Sequence, residues 1–276
     1  GSLTFGVPTS PGVPAGAAAS TLVAPFNDPP ALDATFETHG DRIAAVIVEP
    51  VAGNMGVVLP APAFLSAIAR HTRAAGALFI CDEVISGFRV ALGGAQQRYD
   101  LSPDLTVLGK IIGGGLPVGA YGGHGEIMER VSPSGSVYQA GTLSGNPVGM
   151  AAGLANLAAL RDPGFYDRLD RVTEQLANGL RSAAQETGVP VTVQTMTGML
   201  TLFFRADPVR NLDDARASDA TRFARFFHAM LRRGVYLPPS QFEAWMLSAA
   251  HTPDTIEETM QSARVAFAEV EQASAG

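Results

Sequence analysis

Lysine is almost absent from this chain: Lys110 is the only one among 19 Lys and Arg residues. Arginine serves wherever a positive charge suffices, so the single lysine points to chemistry that arginine cannot perform. A guanidinium stays protonated and is a poor nucleophile, whereas a lysine amine can be desolvated and condense with a carbonyl. Cysteine is equally scarce. Cys81 alone leaves no internal disulfide framework, which suits a reducing compartment and a cytoplasmic location. Set in an apolar run, Cys81 reads as an inert strand residue. No apolar segment approaches the roughly 20 residues needed to cross a bilayer, and no signal-peptide pattern occurs, so no membrane partner is expected. Lys/Arg runs are also missing, and a net charge of -7 with a pI near 5.2 argues against a nucleic-acid partner. The five histidines (39, 71, 124, 228 and 251) show no metal-ligand spacing, so no metal site is expected. No G-x-G-x-x-G opens a helix after a strand and no G-x-S-x-G occurs, which excludes a dinucleotide-binding dehydrogenase and a serine hydrolase of those types.

What is present is core-forming material: 46% of residues are hydrophobic in a 28.7 kDa chain, enough for two domains. The opening "GSLTFGVPTSPGVPAGAAAS" is rich in Gly, Pro, Ser and Ala, and residues 1–40 read as a loop-rich entry. Strand and helix patterns then alternate over 41–162. "AAVIVEPV" (44–51), "ALFICDEV" (77–84) and "DLTVLGK" (104–110) read as strands buried on both faces, with "GAYGG" (119–123) as one more. "PAFLSAIARHTRAAG" (62–76) has helical spacing between a Pro start and a Gly stop. This alternation predicts an α/β domain on a mostly parallel sheet. Residues 163–276 predict a smaller α+β domain: long helices, and a strand pair in "VTVQTMTGMLTLFFRA" (191–206) turning near Gly198.

Ligands of open α/β sheets gather at the carboxyl ends of the strands. Glu49, Asp82 and Lys110 each end an apolar strand, so all three face one crevice. A lysine paired with a buried carboxylate suits pyridoxal phosphate: the lysine holds the cofactor covalently, and the acid keeps the pyridine nitrogen protonated. The three glycines after Lys110 let backbone pass close to a bulky ligand.

The stretches "VEPVAGNMG" (48–56), "DEVISGFRVALGGAQ" (82–96), "PDLTVLGKIIGGGLPVGAYGG" (103–123), "YQAGTLSGNP" (138–147) and "PPSQFEAWMLSAAHT" (238–252) resemble the glutamate-1-semialdehyde 2,1-aminomutase family. That family belongs to the class III, fold-type I pyridoxal phosphate aminotransferases. The resemblance runs along essentially the whole chain, and "YQAGTLSGNP" and "SQFEA" are its most specific parts. It implies a PLP/PMP-dependent exchange of amino groups within glutamate-1-semialdehyde, giving 5-aminolevulinate for tetrapyrrole synthesis. It implies that Lys110 holds pyridoxal 5'-phosphate and moves protons, that Asp82 partners the pyridine nitrogen, and that Val84 packs behind the ring. Glu49 and Asn54 fall in the cofactor pocket, and Tyr138 near the substrate entrance. Thr142 and the Gly141 backbone match a phosphate ligand that reaches the neighbouring subunit's cofactor, which implies a homodimer. Glu243 stands where many relatives keep a substrate-carboxylate arginine; an acid there suits a substrate offering amines at two positions.

Plainer roles compete with these. Asp82 and Glu49 also suit structural salt bridges, and Thr142 or Ser144 suits the cap of a helix beginning near Asn146; a helix start also binds phosphate. The chain departs from the family in opening inside what resembles its mobile active-site loop. It lacks the family's N-terminal segment, phosphate-holding Gly/Ser turn and ring-stacking aromatic. The expectation is therefore that a companion polypeptide supplies that region and that these 276 residues alone turn over poorly. The competing functions are a class III aminotransferase with an external amino acceptor, and a non-catalytic fragment of such an enzyme.

Overall fold

Three apolar runs followed by turn residues become three parallel strands. The computed structural model describes residues 14–272; of the expected loop-rich entry at 1–40, residues 1–13 lie outside them. Strands β1 (Ala45–Val48), β2 (Leu78–Glu83), β3 (Leu105–Leu108) and β4 (Ala120–Gly123) form one sheet in that order. β1, β2 and β3 pair in parallel, and β4 returns antiparallel to β3. Around this sheet lie helices α1 (Ala15–Ala18), α2 (Pro29–His39), α3 (Pro62–Ala75), α4 (Gly94–Tyr99), α5 (Gly125–Met128) and α6 (Pro147–Leu160). The sheet is thus the mixed, parallel-rich α/β type that the sequence predicts.

Two local expectations need correction. Residues 29–39, expected as part of a loop-rich entry, form α2, because Asp28 caps the Ala31 amide at 3.0 Å and Pro29 opens the first turn. β1 is not buried on both faces. Val46 and Val48 pack with Phe64, Leu65 and Ile68 of α3, but Ile47 on the opposite face is 61% exposed. β1 lies at the sheet edge, and among the described residues no helix covers that face.

The remaining elements are α7 (Phe165–Thr187), β5 (Thr192–Met196), β6 (Met199–Phe203), α8 (Leu212–Arg216), α9 (Ala220–Arg232), β7 (Trp245–Met246) and α10 (Pro253–Gln272). β5 and β6 form the expected hairpin about Gly198, and β7 adds antiparallel to β6. Their core joins Leu180, Leu202, Phe204, Phe226 and Phe267, with the Phe226 and Phe267 rings 4.6 Å apart. This second sheet is tied to the loop after β1: the Val57 amide donates to the Thr201 hydroxyl at 2.8 Å, and Gln194 Nε2 donates to the Val57 carbonyl at 2.7 Å. These bonds, the first of them buried, hold the second sheet beside the carboxyl ends of the first.

Candidate active site

Parallel pairing sends β1, β2 and β3 out of the sheet on the same edge. Glu49 follows β1 directly, Asp82 is the last but one residue of β2, and Lys110 comes two residues after β3. The two-residue strand period puts Asp82 on the face shared with Ile80, while Glu83 points into the covered side. Asp82 Oδ1 accepts from the Val84 amide at 3.1 Å, which fixes the carboxylate at the strand end. The Glu49 carboxyl accepts from the Gly53 amide at 2.9 Å and from Asn54 Nδ2 at 2.7 Å, drawing the 53–56 loop over the crevice. Burial pushes the Glu49 pKa above its ordinary value of 4.5 and Asp82 adds to the rise, while Asn54, Gly53 and Lys110 oppose it. Glu49, Asp82 and Lys110 therefore share one electrostatic environment.

Lys110 is held in an unusual conformation. Its φ is 45°, a left-handed value that costs a non-glycine residue roughly 1–3 kcal/mol and persists only when its surroundings enforce it. The enforcement comes from α6. Asn156 Nδ2 donates to the Ile111 carbonyl at 2.8 Å, and the 3-10 turn Lys110–Gly113 lies against the helix. At Gly114, φ is 57° and a Cβ would collide with the Ala152 carbonyl oxygen, so only glycine lets the turn sit this close. The exposed Lys110 side chain lines an open cavity of about 580 Å³ with Arg89, Ile111, Gly114, Leu116 and Asn156. Val84 packs against Gly109, just before the lysine.

The other candidates are placed less centrally. Glu243 is exposed; its neighbour Phe242 accepts from the Gly56 amide at 2.7 Å, so the 240–243 turn borders the loop that holds Glu49. Tyr138, Gly141 and Thr142 are exposed on the segment before α6. Among the described residues, no hydrogen bond joins them to Lys110, Asp82 or Glu49. Neither Thr142 nor Ser144 caps α6; Asn146 does, accepting from the Gly149 amide at 2.8 Å. Two cavity residues were missed in the sequence. Asn156 is the one polar residue in the otherwise apolar "PVGMAAGLANLAAL" and could have been found on that ground. Arg89 lies seven residues after Asp82 with no pattern to mark it; its guanidinium donates to the Leu247 carbonyl at 2.6 Å, and burial lowers its pKa.

Lys110 beside an open cavity, and a fixed Asp82 carboxylate on the neighbouring strand though not in that cavity's lining, are the group types a pyridoxal-type cofactor uses: an amine for its aldehyde and an acid for its ring nitrogen. Among the described residues no group of three or more His, Cys, Asp or Glu could hold a metal ion, and no helix is long and apolar enough to cross a membrane.

Known proteins resemble this chain in sequence and fold. The chain is 57% identical over 270 residues to the glutamate-1-semialdehyde 2,1-aminomutase of Thermomicrobium roseum, covering 98% of this chain and 63% of that protein. It is also 57% identical over 273 residues to the protein of that name from Pelotomaculum thermopropionicum, with 99% and 63% covered. The chain thus spans a little under two thirds of the length of these relatives. Among solved structures, an omega-transaminase from Sphaerobacter thermophilus matches with TM-score 0.89 at 33% identity, over 96% of this chain and 60% of that one. A glutamate-1-semialdehyde-aminomutase from Pseudomonas aeruginosa PAO1 matches with TM-score 0.82 at 27% identity, over 94% and 60%. The family model for aminotransferase class-III matches residues 6–260, nearly the whole sequence, and this chain belongs to that family.

Proposed function

We propose that the protein containing this chain converts glutamate-1-semialdehyde to 5-aminolevulinate, using pyridoxal 5'-phosphate and its pyridoxamine form. The observation that carries this reading is the sole lysine, fixed at one strand end beside Asp82 at the next. The cofactor supplies an electron sink for carbanion character at the substrate carbon. The chain's own residues do the rest. Lys110 holds the cofactor covalently and carries protons between substrate carbons, for which its exposed amine and fixed backbone suit it. Asp82, oriented by the Val84 amide, keeps the ring nitrogen protonated, and Val84 backs the ring. Asn54 and Glu49 line the pocket as a hydrogen-bonded pair. Glu243 at the rim offers an acid to a substrate bearing amines, and Tyr138 stands at the entrance.

Thr142 and Gly141 serve the cofactor phosphate of a neighbouring subunit in this reading. Support comes from α6, whose outward face presents Val148 (67% exposed), Leu154 (70% exposed), Met150 and several alanines without a polar side chain among them. Exposed apolar faces suit burial against further protein, and in this reading a second copy of the chain covers this one. The buried thiol of Cys81 suits a cytoplasmic setting.

The matches to transaminases favour one other reading, a class III aminotransferase that uses an external amino acceptor. A single assay separates the two. Glutamate-1-semialdehyde alone should give 5-aminolevulinate if the reaction is internal, whereas conversion that requires an added keto acid or amine donor would establish the transaminase. Asp82→Asn should bind cofactor yet turn over at a small fraction of the wild-type rate; near-normal turnover would leave Asp82 a structural acid.

A further inference from the structure

Glu83 is the most deeply buried acid on β2, 1% exposed, and the proposed chemistry makes no use of it. Strand alternation turns it away from the crevice that Asp82 faces. Such burial is costly unless every oxygen is satisfied, and here both are. Oε2 accepts from the Ser86 hydroxyl at 2.6 Å and the Ala95 amide at 3.0 Å. Oε1 accepts from the Gln96 amide at 2.8 Å and from Gln96 Nε2 at 3.2 Å. The Gln96 carboxamide oxygen in turn accepts from the Thr106 hydroxyl of β3 at 3.3 Å. Space for the carboxyl exists only because residue 94 is glycine: φ there is 66°, and a Cβ would stand 2.6 Å from Glu83 Oε2.

The network therefore links three places. It seats the start of α4 on the Glu83 carboxyl, it joins Glu83 to Ser86 across the turn containing Val84, whose amide donates to Asp82, and it ties β2 to the strand leading into Lys110. We propose that Glu83 is a positioning residue that sets the separation and orientation of Asp82 relative to Lys110 through Gln96 and Thr106. The proposal rests on the reading of Asp82 and Lys110 as cofactor residues, but its geometric part can be read without cofactor.

In the Glu83→Gln protein the new amide group meets backbone donors instead of accepting from them. Hydrogen exchange in the cofactor-free protein should accelerate at Ala95 and Gln96 and also at Val84. Cofactor affinity should weaken, and turnover should fall about 10²-fold, the scale expected of a small misplacement remote from the reacting atoms. Gln96→Ala, which removes only the bridge to β3, should move the same quantities less far and serves as the deciding variant should Glu83→Gln fail to fold. Faster exchange confined to Ala95 and Gln96, with Val84 protection and cofactor affinity unchanged, would overturn the proposal and leave Glu83 a packing residue. So would wild-type values of Val84 exchange and affinity in Gln96→Ala, where that variant decides. If the wild-type protein takes up no cofactor at Lys110, the functional reading fails, while the Val84 exchange still decides whether Glu83 positions Asp82.

Discussion

The side chain of Asn156 donates a 2.8 Å hydrogen bond to the carbonyl of Ile111, the residue after Lys110. A helix thus holds the backbone of Lys110 in a left-handed turn that it would not adopt by itself. Asn156→Ala should cost about 1–2 kcal/mol by leaving that half-buried carbonyl short of a partner. Gly114→Ala should cost roughly 2–3 kcal/mol, since a methyl group there adds backbone strain and meets the Ala152 carbonyl. Both variants should lose cofactor affinity out of proportion to their stability loss. Denaturant unfolding together with cofactor titration checks this; unaltered affinity in both would mean that α6 does not set the lysine.

Glu49 gives a pH signature. Its folded pKa is raised above 4.5, chiefly by burial. The folded state therefore holds the Glu49 proton more tightly than the unfolded state. The stability this contributes is fully present below pH 4.5 and is lost as pH rises through the folded value. Glu49→Gln should remove the loss, so its stability relative to wild type should improve as pH rises from that window. Parallel stability-pH curves for the two proteins would contradict the assignment.

Cys81 is fully buried, and burial pushes its thiol up to about 12, with Glu83 and Asp82 adding to the rise. With so little thiolate at neutral pH it should resist disulfide reagents in the native protein and react once in denaturant. Rapid labelling under native conditions would show that β2 opens.

The strand ends were the most legible part of this molecule. Glu49, Asp82 and Lys110 each end an apolar run, and parallel pairing sends all three to the same edge of the sheet. The lysine announced itself by scarcity. Burial was harder to read, because Ile47 belongs to a run apolar enough for a two-faced strand yet lies on an uncovered edge, a matter of neighbours rather than of local sequence. α2 was hidden by prolines that look like loop but start a helix behind Asp28. Arg89 and Glu83 act through partners far away or out of pattern, at Leu247 and at Gln96 with Thr106 respectively, so no local spacing marks them.

Thr142 should act across a subunit boundary. Lys110→Ala and Thr142→Val proteins, each inactive as homodimers, should regain activity when mixed and allowed to exchange, because one site per hybrid joins an intact lysine to an intact threonine. Exchange demonstrated without recovery would remove Thr142 from the neighbouring site.

The central claim is that Lys110 holds the cofactor. Borohydride reduction of the pyridoxal phosphate-loaded protein, followed by peptide mapping, should place the pyridoxyl label on Lys110, the only lysine in the chain. Lys110→Arg, which keeps the charge but cannot condense with an aldehyde, should take no label and show no turnover. A reduced, pyridoxyl-labelled protein whose Lys110 peptide is unmodified would contradict the account directly.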